Sequence, residues 1–466
     1  MLTYSFANIG KIPLYEYLYR CIRRDIQSGR LRAGEKLPSK RALARNLGIS
    51  TITVEGAYGQ LTAEGYCQPV PKKGFFVAAG VEKELPVMKV KAVNRPIIKN
   101  TEPKAWRFDF VADTVCSDDF PFTIWTRLLR QVVNEKADAL LKRSPGFGIR
   151  ELRAAIAKHL QNFRGLVAAP EQIIIGAGTE YLYSLIVQVL GRDKRYCVEN
   201  PGYDRIRKIY ESNGAECVLA DMDEQGIKLA AIEAKQADII HISPSHHFPT
   251  GIIMPVNRRY ELLGWASSGE NRYIIEDDYD SEFRMSGKPI PTMMGIDVSG
   301  RVIYMNTFSK SLTPTIRISY MVLPSELVNL FYKKIGFYSC TVSNFEQYTL
   351  AKFLEGGHFE RHINRMRNIY RKRRAKLLEL LQPYEKSGRI DIIERGSGLH
   401  FLLRIHTKLS NDSIIAKLAK RGIHIRALAD YYADENPAAQ HVFVVNYSGI
   451  AAEDLKAGLF ADIADC

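Results

Sequence analysis

The segment NTFSKSLTPTIRISY, residues 306–320, contains a lysine suited to covalent chemistry. Lys310 lies between two serines, and Arg317 follows seven positions later. A lysine can form a Schiff base when a carbonyl compound is held against it and its pKa is lowered. The segment therefore predicts an enzyme-like pocket in which Lys310 is the nucleophile.

Pyridoxal phosphate is a carbonyl cofactor whose requirements the rest of the chain meets. It needs an acid at its pyridine nitrogen, a phosphate-binding cup, a partner for its ring hydroxyl and a group stacked on its ring. In IIEDDYDSEF, Asp277 can hold the pyridinium proton and Tyr279 can bond the ring oxygen. In VENPGYDRIRK, Tyr203 follows a strand-like run and can stack on the ring.

The phosphate cup is predicted where GAGTEYLYSLI follows a strand-like run and opens a helix. The backbone N–H groups of Gly178 and Thr179 would face the phosphate, and the helix dipole would add to the attraction. Ser309 and Arg317 would bind the same phosphate from the lysine segment. Each motif alone is weak, because a glycine pair before a helix is usually only a turn. Their occurrence together predicts the cofactor site.

The elements that must position these residues are strands alternating with helices. Apolar runs such as EQIIIGAG, ADIIHISP and RVIYMN alternate with helix-like segments from residue 106 onwards. That alternation predicts an α/β domain with a parallel sheet. No apolar run approaches the roughly 18 residues of a membrane span, and the start lacks a signal-peptide pattern. The seven cysteines show no CxxC pair, so we expect a cytoplasmic protein with reduced thiols and no metal site.

The first 80 residues have a different character. They carry twelve Lys and Arg against five Asp and Glu, a net +7 of the total +14. Such clustering is typical of a protein with a polyanionic partner. The first helix is predicted from apolar residues four apart: Leu14, Leu18, Ile22 and Ile26. Ser39 and Ser50 are N-caps for two further helices, and Gly48 ends the second.

This order predicts a helix-turn-helix followed by a two-stranded wing, YCQPVPKKGFFVA. In such a fold the start of the last helix meets base edges while nearby basic residues meet phosphates. The predicted contacts are Ser50, Thr51 and Thr53 for bases, Lys40, Arg41 and Arg45 for phosphates, and Lys72, Lys73 and Gly74 for the minor groove. The alternative is a small helical domain that docks on another protein.

Over roughly residues 11–79 the chain resembles the GntR family of winged helix-turn-helix regulators. The segment LPSKRALARNLGISTITVEGAYGQLTAEGY matches the core motif of that family. The family often has arginine where this chain has Thr51 and Glu55. The resemblance therefore implies binding to double-stranded operator DNA, but the operator sequence does not carry over.

Residues 106–466 resemble the fold-type I aminotransferases, through GAGT, ENPGY, SHHFPTG, EDDY and SKxxxPxxR in that order. The resemblance implies an α/β fold with a mostly parallel central sheet and a smaller C-terminal α+β subdomain. It also implies a homodimer, with Lys310 as the Schiff-base lysine. Joined by a linker at 80–105, the two parts together resemble the MocR-type subgroup of GntR regulators.

Departures from the aminotransferase pattern affect the ring oxygen and the phosphate. Phe248 stands where the family places an asparagine that bonds the ring hydroxyl, and His246 or His247 are candidates to compensate. Arg143 stands where a tyrosine of the family reaches the phosphate of the neighbouring subunit. Whether these residues replace the usual contacts is left open by the sequence.

A further departure affects carboxylate binding. Val444 occupies the position of the arginine that binds the α-carboxylate of the substrate in the family. Arg205 and Arg426 are alternative partners for a carboxylate, since a guanidinium can bind it through two hydrogen bonds. The loss predicts a hampered amino-acid transaminase.

The sequence therefore predicts a regulator that senses pyridoxal phosphate, an amino compound, or both, through an internal aldimine at Lys310. One alternative is a working aminotransferase with a DNA-binding head. A second is a DNA-binding repressor whose body only dimerises. The basic segment 361–381 predicts an amphipathic helix whose outer face is either solvated or a second DNA-contacting surface.

Overall fold

The computed structural model describes residues 2–6, 12–80, 105–112, 114–284, 290–394, 396, 398–451 and 454–455. The chain divides into two compact units, Met1–Pro103 and Lys104–Cys466. The predicted linker lies outside the described residues except at its two ends, 80 and 105. In the described part of the chain, no helix combines the length and apolar character needed to cross a membrane.

The first unit, the head, is the predicted winged helix-turn-helix. Its elements are α1 (Leu14–Gln27), α2 (Lys40–Leu47), α3 (Thr51–Ala63) and the antiparallel strands β1 (Cys67–Val70) and β2 (Gly74–Val77). The side chain of Ser39 accepts a hydrogen bond from Ala42 N at 3.2 Å, and that of Ser50 accepts one from Thr53 N at 3.1 Å. Gly48 ends α2 in the left-handed conformation at φ 64°. The caps predicted from the sequence therefore set the helix boundaries.

The second unit, the body, is built on an eight-stranded sheet. After the short strand β3 (Phe108–Asp109), its strands are β4 (Ile173–Gly176), β5 (Arg195–Asn200), β6 (Glu216–Asp223), β7 (Gly226–Ile227), β8 (Ile239–Ile242), β9 (Tyr273–Asp277), β10 (Val302–Thr307) and β11 (Ser319–Val322). The order is β4-β11-β10-β9-β8-β5-β6-β7. The five central strands β10, β9, β8, β5 and β6 are mutually parallel, and β11 and β7 run antiparallel to their neighbours.

Helices cover both faces of this sheet. They are α4 (Phe122–Glu135), α5 (Ala137–Leu140), α6 (Arg150–Arg164), α7 (Thr179–Leu190), α8 (Asp204–Ser212), α9 (Leu229–Ala234), α10 (Val256–Ser267), α11 (Met293–Ile296), α12 (Phe308–Ser311), α13 (Ser325–Ile335), α14 (Asn344–Glu355) and α15 (His358–Lys386). In β4, Ile173 and Ile175 join one apolar core while Ile174 joins another. Alternate strand residues point to opposite faces, so a wholly apolar strand is buried on both sides.

The C-terminal part forms the smaller α+β subdomain predicted from the family resemblance. Its elements are β12 (Ile390–Ile393), β13 (His400–Ile405), α16 (Asn411–Lys420), β14 (Ile423–His424), β15 (Arg426–Ala427) and β16 (Val442–Asn446). Strands β12, β13, β16 and β15 form one antiparallel sheet, while β14 pairs with β3.

Helix α15 contains the basic segment 361–381. Its predicted inward residues are all buried: Ile363, Met366, Tyr370, Leu377 and Leu381. Several arginines of the same helix bind the body itself. Arg367 Nε donates to Glu282 O at 2.6 Å, and buried Arg373 pairs with Asp119 at 2.8 Å. These bonds use part of the charge that a second DNA-contacting surface would need, and that surface stays a prediction.

Candidate functional site

The two residues central to the predicted chemistry lie at neighbouring strand ends. Asp277 is the last residue of β9, and Lys310 lies in α12, which follows β10 directly. The two strands are parallel, and Asp277 pairs with Met305. Ligands in α/β sheets bind beyond the carboxyl ends of the strands. Lys310 Nζ lies 5.8 Å from the ring centroid of Tyr279, so Asp277, Tyr279 and Lys310 belong to one site.

Asp277 is buried and has one oxygen left for a ligand. Its Oδ2 accepts a hydrogen bond from Tyr183 at 2.5 Å and lies 3.4 Å from His241 Nε2. Its Oδ1 is buried without a hydrogen-bond partner among the described residues. An unsatisfied buried carboxylate oxygen is costly. A pyridinium N–H is a donor that would satisfy it, so this atom fits the predicted cofactor.

Sequence reasoning missed the groups that hold Asp277 in place. Tyr210 Oη lies 2.7 Å from His241 Nδ1, which links Tyr210, His241, Asp277 and Tyr183 in a buried chain. Burial raises the pKa of Tyr183 and of Tyr210 well above their ordinary values, so both remain neutral hydroxyls. One signal was present in the sequence, since His241 interrupts the apolar run of β8.

Tyr279 is accompanied by His246 rather than His247. Tyr279 Oη lies 3.3 Å from His246 Nδ1, and Asp280 Oδ2 lies 2.8 Å from the same nitrogen. Gly398, at φ +70°, makes room for this imidazole, because a Cβ there would lie 1.9 Å from His246 Cε1. Burial lowers the pKa of His247 to about 3, and its Nδ1 lies 2.7 Å from Thr250 Oγ1.

The predicted phosphate cup lies at the start of α7. Gly178 is its N-cap residue at φ 94°, and α7 begins at Thr179. Arg317 Nη2 donates to Ala177 O at 3.3 Å. A Cβ on Gly178 would lie 2.3 Å from the same nitrogen, so the guanidinium occupies the space that a side chain would need. Ser309 donates its backbone N–H to Thr307 Oγ1 at 3.1 Å, and its phosphate contact stays a prediction.

Phe248 joins the two predicted carboxylate arginines through an aromatic cluster. Its ring centroid lies 6.2 Å from that of Tyr203 and 5.3 Å from that of Tyr431. Arg205 lies over the Tyr203 ring at 5.7 Å, and Arg426 lies over the Tyr431 ring at 4.4 Å. The residue that replaces the family asparagine therefore forms an apolar wall between two cations.

Arg426 also stands beside the position of the missing arginine. It is the cross-strand partner of Val444, and directly opposed residues in a sheet share a face. Val444 is buried, whereas the Arg426 side chain is 42% exposed. The structure thus places a guanidinium on the neighbouring strand, next to the position where the family carries one.

Most residues of the head that are predicted to contact DNA are exposed, whereas Lys40 and Thr53 are half-buried. At the start of α3, Thr51 and Ile52 are exposed, Ile52 by 81%. Arg41 and Arg45 are exposed on α2, but Lys40 pairs with Glu55 at 2.5 Å. At the wing tip, Lys72 and Lys73 lie in the turn between β1 and β2, and Gly74 begins β2; all three are exposed.

Arg41 is exposed whereas Lys40 pairs with Glu55, and this difference can be tested. We expect Arg41→Gln to weaken binding to a fixed DNA duplex and to reduce the slope of log affinity against log salt by about 1, because one phosphate contact is lost. Lys40→Gln should change the slope less, since Lys40 already pairs with Glu55. Fluorescence anisotropy at several salt concentrations measures both. Equal slopes for Arg41→Gln and the wild type would exclude the Arg41 contact.

Comparison with known proteins finds a family match in each of the two units, the head and the body. Residues 14–77 match the model of the gntR family of bacterial regulatory proteins, and residues 116–455 match that of aminotransferase class I and II. An uncharacterised HTH-type transcriptional regulator of Bacillus subtilis, YdeL, is 39% identical, with 96% of each chain covered. The probable rhizopine catabolism regulatory protein MocR of Rhizobium meliloti is 30% identical, with 96% of this chain and 92% of that protein covered.

A solved structure shows the same fold in the body. The kynurenine aminotransferase of Pyrococcus horikoshii matches with a TM-score of 0.68 and 24% identity, over 78% of this chain and 91% of that one. The family match and the unsatisfied oxygen of Asp277 together support pyridoxal 5′-phosphate as the cofactor. The chain belongs to the aminotransferase class I and II family in its body and, as a whole, to the MocR-type subgroup of the GntR regulators.

Proposed function

We propose that this chain is a DNA-binding transcription regulator whose body binds pyridoxal phosphate at Lys310 and responds to the cofactor, to an amino compound, or to both. The observation that carries the proposal is the buried Asp277 Oδ1, which has no partner among the described residues, in a site with Lys310 on a chain that also has a DNA-binding head. A relative from Corynebacterium glutamicum, 31% identical, is named a pyridoxine biosynthesis transcriptional regulator. Control of vitamin B6 synthesis is therefore one candidate role.

Each site residue has a task in this proposal. When bound, pyridoxal phosphate supplies a carbonyl group that amines can attack and a ring that accepts electrons. Asp277 would accept a hydrogen bond from the protonated pyridine nitrogen, and Tyr279, assisted by His246, would bond the ring oxygen. Tyr203 stacks on the ring. The phosphate is bound by Gly178, Thr179, Ser309 and Arg317.

The effector is an amino compound with a carboxylate in this proposal. Arg205 and Arg426 flank the aromatic cluster around Phe248, and a guanidinium is well suited to a carboxylate. An effector whose amine is directed at the cofactor and whose carboxylate is directed at these arginines would be bound at both ends. Such an effector changes the DNA affinity only if the body has two states that it binds differently.

A homodimer in the cytoplasm completes the proposal. We assign residues 11–79 to the head, 80–105 to a linker and 106–466 to the body. Two heads would bind two half-sites of an operator. Exposed apolar side chains of the body, Leu141 at 86% and Phe337 at 77%, are candidates for the dimer interface. Arg143, exposed close to Leu141, is the candidate to reach the partner's phosphate.

A working aminotransferase is the second candidate function. It is favoured by the retention of Lys310 and Asp277 in one site. It is opposed by the loss of the asparagine and arginine that Phe248 and Val444 replace. Rapid turnover of an amino acid with an oxo-acid acceptor would favour this function over the regulator.

The deciding experiment combines an absorption spectrum with DNA binding in the same samples. Wild type and Lys310→Ala are mixed with pyridoxal phosphate, and operator-fragment affinity is measured at fixed salt. We expect an absorption band near ~420 nm in the wild type only, together with a change in DNA affinity that Lys310→Ala lacks. A band without any change in DNA affinity would exclude a regulator that responds to the cofactor without a second ligand. Absence of the band would exclude cofactor binding at Lys310 and would favour the alternative of a DNA-binding protein whose body only dimerises.

A further inference from the structure

Glu180, in the first turn of α7, contacts one arginine from each of the two proposed ligand subsites. Its Oε2 accepts a hydrogen bond from Arg317 Nη2 at 3.1 Å. Its Oε1 lies 3.9 Å from Arg205 Nη1. Glu180 therefore has one oxygen on the arginine proposed for the phosphate and the other near the arginine proposed for an effector carboxylate.

Glu180 is close enough to Arg317 to compete directly with an incoming anion for the guanidinium, rather than acting on it as a distant charge. Arg317 Nη2 already donates to both Glu180 and the carbonyl of Ala177, at 3.1 and 3.3 Å. An incoming phosphate must displace the Glu180 carboxylate from this nitrogen or lie beside it, and like charges in contact repel. Since Glu180 and Arg317 are 47% and 50% exposed, solvent screens the interaction and the effect is moderate.

We propose that Glu180 is a specificity-determining residue that competes with phosphate for Arg317 and with carboxylate for Arg205. The inference rests on the proposed function, because it concerns the same two subsites. A ligand that carries only a phosphate must overcome this competition with a single group. Pyridoxal phosphate also gains from Lys310 and Asp277, so it can bind against this competition, whereas inorganic phosphate has no such gain.

The competition also links the two subsites. When phosphate takes Arg317, the Glu180 carboxylate remains within reach of Arg205 and can pair with it fully. A carboxylate on Arg205 would in turn leave Glu180 on Arg317. Occupation of either subsite by an anion thus makes Glu180 a stronger competitor at the other, and removing its charge should weaken this coupling.

The test uses Glu180→Gln in the full chain, which keeps the size of the side chain and removes its charge. The ligands are pyridoxal phosphate, pyridoxal, which lacks the phosphate, and inorganic phosphate as a competitor. We expect affinity for pyridoxal phosphate and for inorganic phosphate to rise about 2- to 5-fold, with pyridoxal unchanged. Glu211→Gln is the matched control, since Glu211 pairs with Arg207 at 3.5 Å. It should leave all three affinities unchanged.

The possible outcomes separate this inference from the proposed function. Weaker binding of pyridoxal phosphate by Glu180→Gln would overturn it, because Glu180 would then orient Arg317 for the phosphate. An equal gain for pyridoxal, or the same gain in Glu211→Gln, would also overturn it. If the wild type binds pyridoxal phosphate and Glu180→Gln binds it with the same affinity, this inference alone is overturned. A wild type that binds no pyridoxal phosphate would overturn both.

Discussion

Gly178→Ala is expected to lower the affinity for pyridoxal phosphate by about 10- to 100-fold. The added Cβ would lie 2.3 Å from Arg317 Nη2, so the guanidinium must leave the cup. Loss of a charged hydrogen bond costs about 1.5–3 kcal/mol. Gly178 also has φ +94°, where an L-residue is strained by roughly 1–3 kcal/mol, a cost to the stability of the free and the bound protein alike. The lost hydrogen bond corresponds to the stated fall in affinity, since each 1.4 kcal/mol is about tenfold.

Two comparisons make this test specific for the phosphate. Pyridoxal has the same ring and aldehyde but no phosphate, so its affinity should fall much less than that of pyridoxal phosphate. Gly264→Ala in α10 is the matched glycine control, because a Cβ there would meet no atom of the described part of the chain within 4 Å. It should leave both affinities unchanged and stabilise the helix by up to about 1 kcal/mol. Spectroscopic titration of the three proteins gives the values, and equal losses for both aldehydes would exclude a phosphate cup at Gly178.

Local signals explain which parts of the fold and site could be predicted from the sequence. Caps at Ser39, Gly48 and Ser50 act within a few residues, and the structure has them where the sequence indicates. Lys310 and Asp277 could be assigned to one predicted cofactor site because their motifs lie at strand ends of a chain whose alternating strands and helices predict a parallel sheet. Those strand ends lie side by side in the body.

Contacts set by tertiary packing could not be predicted in the same way. Arg426 became a candidate on chemical grounds, but its position opposite Val444 follows from the pairing of β15 with β16. Tyr183 and Tyr210 lie on separate helices and reach Asp277 and His241 only after the sheet has formed. A one-residue change of strand register moves a side chain to the other face, and the sequence does not fix that register.

The acidic doublet of EDDYD is the sharpest case of this limit, because its two aspartates have different tasks. Each has a buried Oδ1 without a partner among the described residues, but Asp277 lies at the strand end next to Tyr279 and Lys310. Asp278 instead pairs with Arg164 at 2.9 Å, with side chains only 0% and 2% exposed, and accepts a hydrogen bond from Tyr304 at 2.7 Å. Burial, followed by the nearby Asp278, raises the pKa of Glu282 to about 8. Glu282 is therefore mostly neutral at pH 7, and Arg164 pairs with Asp278 instead.

Asp278→Asn is therefore expected to destabilise the body by about 3–5 kcal/mol, since it leaves the Arg164 charge buried without its partner. The adjacent Asp277→Asn should change the stability by only about 1 kcal/mol, because an amide oxygen can still accept from Tyr183, but it should lower cofactor affinity. Thermal unfolding and cofactor titration of both variants separate the two effects. Adding Arg164→Met to Asp278→Asn should restore much of the loss, because the unpaired charge is then removed. A double variant no more stable than Asp278→Asn would show that the aspartate stabilises the body by another route.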